Sequence, residues 1–232
     1  MLILGIDTAC ANAGVALVKD GECLGRVMQA DKRTHSVKLL PEIQTLLEAR
    51  NIAPGALDLI AVSAGPGSFT GVRIGATTAK TLAYTLGIPV VGVNTLDALA
   101  AADPSDSSDT SGQTPELTLA LIDARNLRAY ACLYLNGEPA TAYSVDKVAA
   151  LTDALPAGYR GRRVRVCGDA VLNAEIADIL GSDARFGFEL DTAHAYPDPA
   201  DVALTGARIF ARAGDRDAFL PHKLTLNYMK DW

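Results

Sequence analysis

The chain has 232 residues, of which 49% are hydrophobic and 21% are charged, and its net charge is −6. This hydrophobic content excludes a disordered chain, because enough apolar surface is available to form a core. The 27 acidic and 21 basic residues leave neither half of the chain basic, which argues against a protein that grips nucleic acid through phosphate neutralisation alone. The length suits one large domain or two small ones.

No stretch approaches the ~18 apolar residues that a membrane-spanning helix requires. The N-terminal segment has no basic region and meets Asp7 early, so it resembles a first strand rather than a signal peptide. The four cysteines form no CxxC pair and are expected to be reduced thiols. Together these features predict a cytoplasmic protein.

Two segments share a pattern of strand, acid and hairpin. The first begins LGIDTACANAGVALVKDGE and the second ALIDARNLRAYACLYLNGE. Fourteen positions separate Asp7 from Gly21, and fourteen separate Asp123 from Gly137. Each segment reaches an Asp-Gly or Asn-Gly dipeptide, which supplies the positive φ angles of a tight hairpin. The sequence therefore predicts an internal duplication.

After each hairpin, the pattern changes to alternating helices and strands. The spacing predicts two α/β lobes, each a mixed sheet flanked by helices, over residues 1–103 and 116–232. The Ser-rich stretch 104–115 is predicted to be a linker or loop. Predicted helices cover a stripe from Val37 to Leu47, capped at Thr34 or Ser36, and residues 70–86, 146–155, 172–180 and 199–213; predicted strands cover 57–63, 89–93 and 163–167.

Asp7 and Asp123 each end a strand, one in each predicted lobe, and in a duplicated fold they are expected to face one another across the cleft. Two such carboxylates suit a Mg²⁺–nucleotide site, or each simply ends its strand and caps the turn. The residues after them, Thr8-Ala9-Cys10 and Ala124-Arg125-Asn126, lack the Gly-rich backbone of loops that cradle phosphates. The pattern therefore indicates at most a weakened nucleotide site.

The segment GPGSFTGVRIG, residues 65–75, lies between a predicted strand and a predicted helix, with Ser68 or Thr70 as the cap. It is not a Walker loop, because no Gly-Lys-Ser/Thr follows. Small residues indicate either a buried core helix or a helix that contacts a partner, and the sequence alone favours a core helix. The small residues that the helix after the segment presents are Gly71, Gly75, Ala76, Ala79 and Ala83.

Other candidate sites are weak. The three histidines, His35, His194 and His222, are scattered and show no metal-ligand spacing, and no nucleophile–histidine signature is present. The arginines within residues 160–165 form the one local basic cluster, which we expect to be a solvated strand flank rather than an RNA contact.

At this point the sequence resembles the bacterial TsaB family, formerly YeaZ. The resemblance is carried by the opening IDT strand and four further stretches: HSVKLLPEI (35–43), SAGPGSFTGVRIG (63–75), IPVVGVNTLDALA (88–100) and LIDARNLRAYACLY (121–134). It implies an actin-like ATPase (ASKHA) fold of two lobes and a non-catalytic subunit, a pseudoenzyme, in threonylcarbamoyl modification of the adenosine beside the tRNA anticodon. The implied partners are a TsaD-type transferase and a TsaE-type ATPase, with tRNA bound through the complex. An exposed apolar surface commonly pairs with itself, so a homodimer is expected when the chain is alone.

The resemblance also implies roles for individual residues. No cofactor is expected to bind tightly to this chain, and ATP and Mg²⁺ are used by the complex. The catalytic relative carries two metal-binding histidines four residues apart, where this chain has His35 and Leu39, so no metal site is implied. Asp7, Thr8 and Asp123 are expected to form a vestigial nucleotide site. In the family, the helices after HSVKLLPEI and GPGSFTG contact the partner, which implies that part of the small-residue face is a contact surface. The residues of the implied interface are His35, Leu39, Leu40, Gly67, Phe69, Gly71, Val72, Gly75, Ala79 and Ala83.

Two other functions are weighed against this one. A free-standing small-molecule kinase or ATPase of the same fold needs a second phosphate loop near Asp123 and a Gly-Gly adenosine motif, but residues 166–169 contain only Gly168. A zinc peptidase is not favoured, because the chain lacks the pair of histidines that would bind the metal. The Ser-rich segment 104–114 and the C-terminal LTLNYMKDW depart from the family pattern.

Overall fold

The computed structural model describes residues 1–29, 35–102 and 117–229. The predicted linker 104–115 and the predicted cap at Thr34 lie outside these ranges. The side chains of His35 and Ser36, named above as an interface residue and a cap, also lie outside the described part of the chain.

The helices and strands follow the predicted alternation. In the N-terminal part they are β1 (Leu2–Asp7), β2 (Ala13–Lys19), β3 (Glu22–Gln29), α1 (His35–Ala49), β4 (Leu59–Ser63), α2 (Phe69–Leu86), β5 (Val90–Val93) and α3 (Thr95–Ala101). After it come β6 (Leu117–Arg125), β7 (Arg128–Leu135), β8 (Glu138–Pro139), β9 (Ser144–Lys147), α4 (Val148–Asp153), β10 (Arg163–Cys167), α5 (Ala174–Ser182), β11 (Gly187–Leu190) and α6 (Pro199–Arg212).

Both predicted hairpins form where the sequence placed them. Asp20 and Asn136 have φ angles of 51°, and Gly21 and Gly137 follow with 92° and 78°, the left-handed conformations that a tight two-residue turn requires. The turns join β2 to β3 and β7 to β8, which pair antiparallel, and β2 and β7 also pair antiparallel with β1 and β6. The duplicated strand–hairpin pattern is therefore present in the fold.

The chain divides into two compact units, of which the first comprises Met1–Ala98 and Pro197–Tyr228. Its sheet has the order β3-β2-β1-β4-β5, with β4 and β5 parallel to β1. Side chains alternate along each strand, so Leu4 and Ile6 pack with α1 and α2 in one core, whereas Ile3 packs with α6 in another. The first unit is thus a sheet covered by helices on both faces.

The second unit comprises the described residues of Leu99–Tyr196 together with Met229. Its sheet has the order β11-β10-β6-β7-β8, and β9 also pairs with β7. One core joins the sheet to α4 and α5, with Leu119, Leu133 and Ile176 among its buried members. The predicted fold class, two mixed sheets flanked by helices, is confirmed.

The closing helix differs from the predicted division of the chain. Residues 199–213 are predicted from chain order to lie in the second lobe, but α6 packs on the sheet of the first unit. Glycines let the helix approach closely: a Cβ at Gly5 would overlap the carbonyl oxygen of Pro199, and one at Gly206 would overlap Ala61. Asp198 caps the helix and pairs with Arg26 on β3, which fixes this end to the first sheet.

Candidate functional site

The loop after Asp7 is buried beneath the first turn of α2. The Thr8 hydroxyl donates to the carbonyl oxygen of Gly71 over 2.7 Å, and the Ser68 amide donates to the carbonyl oxygen of Ala9 over 2.7 Å. Asp7 and Thr8 are 1% and 0% exposed, and the Ala9 amide donates to Asp7 Oδ1 over 3.4 Å. The position where a phosphate loop would present its amides is thus occupied by the chain's own helix.

This contact explains the glycines of the GPGSFTG segment. A Cβ at Gly67 would overlap the carbonyl oxygen of Ala9, and a Cβ at Gly71 would overlap that of Thr8. Ser68 caps the helix as predicted, because its hydroxyl accepts from the Gly71 amide over 3.3 Å. The distinctive motif is therefore accounted for by close backbone packing within the first unit.

Asp123, at the corresponding point of the second unit, stabilises a turn. Its Oδ1 accepts from the Arg125 amide over 2.8 Å, its Oδ2 lies 3.8 Å from the Arg125 guanidinium, and its own amide donates to Asp169 over 2.8 Å. Arg125, Asn126 and Leu127 have φ angles of 71°, 55° and 57° without any glycine. This geometry agrees with the turn-capping alternative, whereas a vestigial nucleotide site remains a prediction.

The small-residue face of α2 points into the core, which corrects the interface assignment. Gly71, Gly75, Ala79 and Ala83 are buried, with Ala79 and Ala83 at 0% exposure within the core that α1 and α2 share with the sheet. Leu39 and Val72, also predicted to contact a partner, are likewise buried. Small side chains here let α2 approach β1 and β4, and their burial argues against a contact with another protein.

Large apolar side chains occupy the opposite, exposed faces of the same two helices. We call this set the α1–α2 surface: Val37 and Leu40 are 74% and 54% exposed on α1, and Phe69 and Tyr84 are 42% and 82% exposed on α2. Leu40 and Phe69 were among the predicted interface residues, whereas Val37 and Tyr84 were not. Val37 was predicted as part of the apolar stripe of its helix, and Tyr84 lies outside the small-residue face of α2.

Phe69 also belongs to an aromatic cluster at the start of α2. The Arg73 guanidinium lies 3.7 Å from the Phe69 ring centroid, and its Nε donates to the Tyr228 hydroxyl over 2.9 Å. The Phe69 and Tyr228 rings are 5.2 Å apart. The Asn227 amide donates to the Ala64 carbonyl oxygen over 2.7 Å. The C-terminal segment therefore supports one end of the α1–α2 surface.

The predicted basic cluster of residues 160–165 is not a continuous cationic patch. Arg163 donates two hydrogen bonds to the Glu189 carboxylate, over 2.6 and 2.8 Å. Arg165 is only 4% exposed, pairs with Asp191 over 2.7 Å and donates to the carbonyl oxygen of Ala102. The expectation of a solvated strand flank thus fits Arg163. It does not fit Arg165, whose burial was not predicted because a charged residue in a strand normally indicates exposure to solvent.

Asp191 is held by two side chains, His194 and Arg165, in the second unit. His194 Nδ1 lies 2.8 Å from its Oδ2, and Arg165 Nε donates to the same oxygen. Burial alone would raise the pKa of Asp191, but the hydrogen bonds from His194 and Arg165 and the charge of Arg165 hold it well below its usual range. Burial raises the pKa of the neighbouring Cys167 thiol to about 11, which makes it a structural thiol rather than a nucleophile.

Acid titration tests this coupling. An unfolded Asp has a pKa of about 3.9. Since the folded pKa of Asp191 is lower, its ionised form stabilises the fold above about pH 4, and that stability is lost as the pH falls toward the folded pKa. We expect urea unfolding between about pH 4 and 2 to show a smaller loss of stability in Asp191→Asn than in the wild type. Parallel pH profiles would contradict this role.

Neither a metal site nor a membrane span is found in the described residues. Within 1–29, 35–102 and 117–229, no group of three His, Cys, Asp or Glu side chains lies together as metal ligands would. The helices of these ranges are too short or too polar to cross a membrane.

Comparisons with known proteins agree with this architecture. The family model described as TsaD, tRNA N6-adenosine threonylcarbamoyltransferase, matches residues 23–179. A Bacillus subtilis protein named tRNA threonylcarbamoyladenosine biosynthesis protein TsaB is 34% identical over 230 residues, covering 97% of this chain and 95% of its own length.

Solved structures extend the likeness over the whole chain. A Pseudomonas aeruginosa protein described as similar to the peptidase YeaZ is 26% identical, with a TM-score of 0.80 and 99% of each chain covered. Component A of the Acidaminococcus fermentans (R)-2-hydroxyglutaryl-CoA dehydratase, at 10% identity, has a TM-score of 0.51 over 91% of this chain and 100% of its own; this second likeness shows the actin-like fold alone. With a full-length relative at 34% identity, the chain belongs to the TsaB (YeaZ) family.

Proposed function

We propose that the chain is a non-catalytic subunit in tRNA threonylcarbamoyladenosine biosynthesis that pairs with a TsaD-type transferase through the α1–α2 surface. Membership of the TsaB family supports a role in that pathway. The observation that carries the pairing is the exposure of Val37, Leu40, Phe69 and Tyr84 on two adjacent helices of the first unit. Exposed apolar side chains grouped in this way are typical of a protein-binding surface.

The non-catalytic part of the proposal rests on the two aspartate loops. Asp7 and Thr8 are covered by α2, and Asp123 is occupied in its own turn. In each loop the amide two positions after the aspartate donates to that aspartate, and neither loop has the Gly-rich backbone on which phosphate binding depends. In this proposal ATP and Mg²⁺ are used by the assembled complex, which a TsaE-type ATPase joins, and this chain binds no cofactor tightly.

When the partner is absent, the proposal has the chain cover the α1–α2 surface with a second copy. Self-pairing through one patch gives a two-fold dimer, in which the same surface serves both protomers. In this proposal tRNA binds to the assembled complex rather than to this chain alone, and the complex acts in the cytoplasm.

Replacing Leu40 with aspartate is expected to weaken pairing with the cognate TsaD-type subunit at least tenfold, because removing a central interface contact costs more than about 1 kcal/mol. Size-exclusion chromatography with light scattering, together with a titration of the partner, measures the change. Leu172→Asp is the matched control, since Leu172 is 51% exposed in the second unit against 54% for Leu40.

Equal weakening by the two variants would contradict the assignment of the surface. A transfer assay tests the non-catalytic role separately, because the chain and the transferase together are expected to modify tRNA whereas the chain alone is inactive. Threonylcarbamoyl transfer or ATP turnover by the isolated chain would disprove that role.

A further inference from the structure

Three exposed cations lie in one row across three adjacent strands of the second sheet. Arg125 at the end of β6 pairs in register with Arg128 on β7, and Arg128 pairs with Lys147 on β9. Residues directly opposite one another share a face of the sheet, so Arg128 and Lys147 project from the same face, and Arg125 follows the bulge after Asp123 at the end of the row. We call them the cationic row.

This arrangement is unfavourable for the isolated fold. Cross-strand neighbours have Cβ atoms about 4.5–5.5 Å apart, and like charges at that separation destabilise a sheet. Arg125 lies 3.8 Å from the Asp123 carboxylate, but within the part of the chain that the structure describes neither Arg128 nor Lys147 forms an ion pair with an acid. Asp146 precedes Lys147 but pairs in register with Ala129, which directs it to the other face.

Protection of a sheet edge does not account for the row. A lysine on an edge strand discourages pairing with other chains, and this reason covers Lys147 on β9. Arg128, however, lies on β7 between β6 and β9, where its strand is already paired on both sides. Edge protection therefore does not explain Arg128, whereas an anion bound by the row would offset the repulsion between its charges.

We propose that the cationic row contacts phosphates of the tRNA backbone, an inference that rests on the proposed function. Arg and Lys side chains make such contacts without reading sequence. The row consists of exposed side chains along a surface, with the Arg125 side chain 79% exposed, as a backbone contact requires, whereas a small nucleotide is bound in a concave pocket. The acidic chain thus retains a local contact to tRNA.

The test uses the complex of the full chain with its TsaD-type subunit and a fluorescently labelled tRNA. We expect Arg128→Glu/Lys147→Glu to lower the affinity for tRNA at least tenfold at low salt. The slope of log affinity against log salt should fall by about 2, since each lost phosphate contact removes about 1. The control Lys19→Glu/Lys223→Glu changes the net charge equally at exposed lysines of the first unit and should retain affinity and slope.

Each contrary outcome has a distinct meaning. Equal tRNA binding by the two double variants would overturn the inference while leaving the proposed function intact. Loss of pairing with the transferase, measured first by size-exclusion chromatography, would instead assign the row to a protein contact and also overturn it. Loss of Mg-ATP binding by calorimetry with unchanged tRNA affinity would assign the row to a nucleotide. Failure of the wild-type chain to pair at all would refute the proposed function.

Discussion

Replacing Arg165 with methionine is expected to lower the free energy of unfolding by about 3–5 kcal/mol, because it leaves a buried carboxylate without its cationic partner. Arg165 is 4% exposed and Asp191 11% exposed. Methionine fills much of the same volume, so the loss comes from charge and hydrogen bonds rather than from a cavity. The substitution also removes the hydrogen bond to the carbonyl oxygen of Ala102, which follows α3. Urea unfolding at neutral pH measures the change.

The same two strands provide a matched control. Arg163 pairs with Glu189 through two hydrogen bonds, but the side chains are 66% and 47% exposed. Exposed pairs contribute about 0–1 kcal/mol, so Arg163→Met should be nearly neutral. A similar loss of unfolding free energy in the two variants would show that burial does not determine how much these ion pairs contribute to stability. Adding Asp191→Leu to Arg165→Met should restore part of the stability, since no buried charge then lacks its partner.

Local chemistry made much of the fold predictable. Asp20-Gly21 and Asn136-Gly137 form the predicted turns, because few other dipeptides adopt those angles without strain. The helix predicted over 70–86 is observed as Phe69–Leu86, with Ser68 as its cap and Gly87 in the left-handed conformation that ends it. Signals of this kind act within a few residues and depend little on the rest of the chain.

Features that depend on distant residues were not predictable in this way. Chain order placed α6 in the second lobe, but its partners Gly5 and Ala61 lie more than 140 positions earlier in the sequence. Arg165 was assigned to a solvated flank, because a charged residue in a strand indicates exposure unless its partner is known. That partner, Asp191, lies 26 positions later. Such contacts form only in the tertiary fold.

The α2 helix shows why the candidate site was only partly predictable. Its periodicity correctly placed Gly71, Gly75, Ala79 and Ala83 on one face. Small residues permit close approach of either the chain's own sheet or another protein, so their identity does not decide between the two. The burial of the face decides for the sheet. In the proposed function, the surface for the partner is formed by the larger side chains of the other face.

A leucine at Gly75 is expected to destabilise the first unit, with a cost in the upper part of the roughly 1–3 kcal/mol typical of overpacked cores. A Cβ there would overlap Thr8 Oγ1 and lie 3.4 Å from Val62, before the rest of the leucine is placed. Moving Thr8 would strain its hydrogen bond to Gly71 and the loop that follows Asp7. Thermal and urea unfolding of the isolated chain measure the effect.

Thr77→Leu on the exposed face of the same helix separates packing from helix propensity. Both substitutions introduce a good helix former, but Thr77 projects to solvent, so its variant should keep or slightly raise the melting temperature. If instead Gly75→Leu left stability unchanged and abolished pairing with the transferase, the small face of α2 would be a partner contact. Loss of stability in Gly75→Leu alone, with Leu40→Asp losing only pairing, would assign one face of the helix pair to the core and the other to the partner.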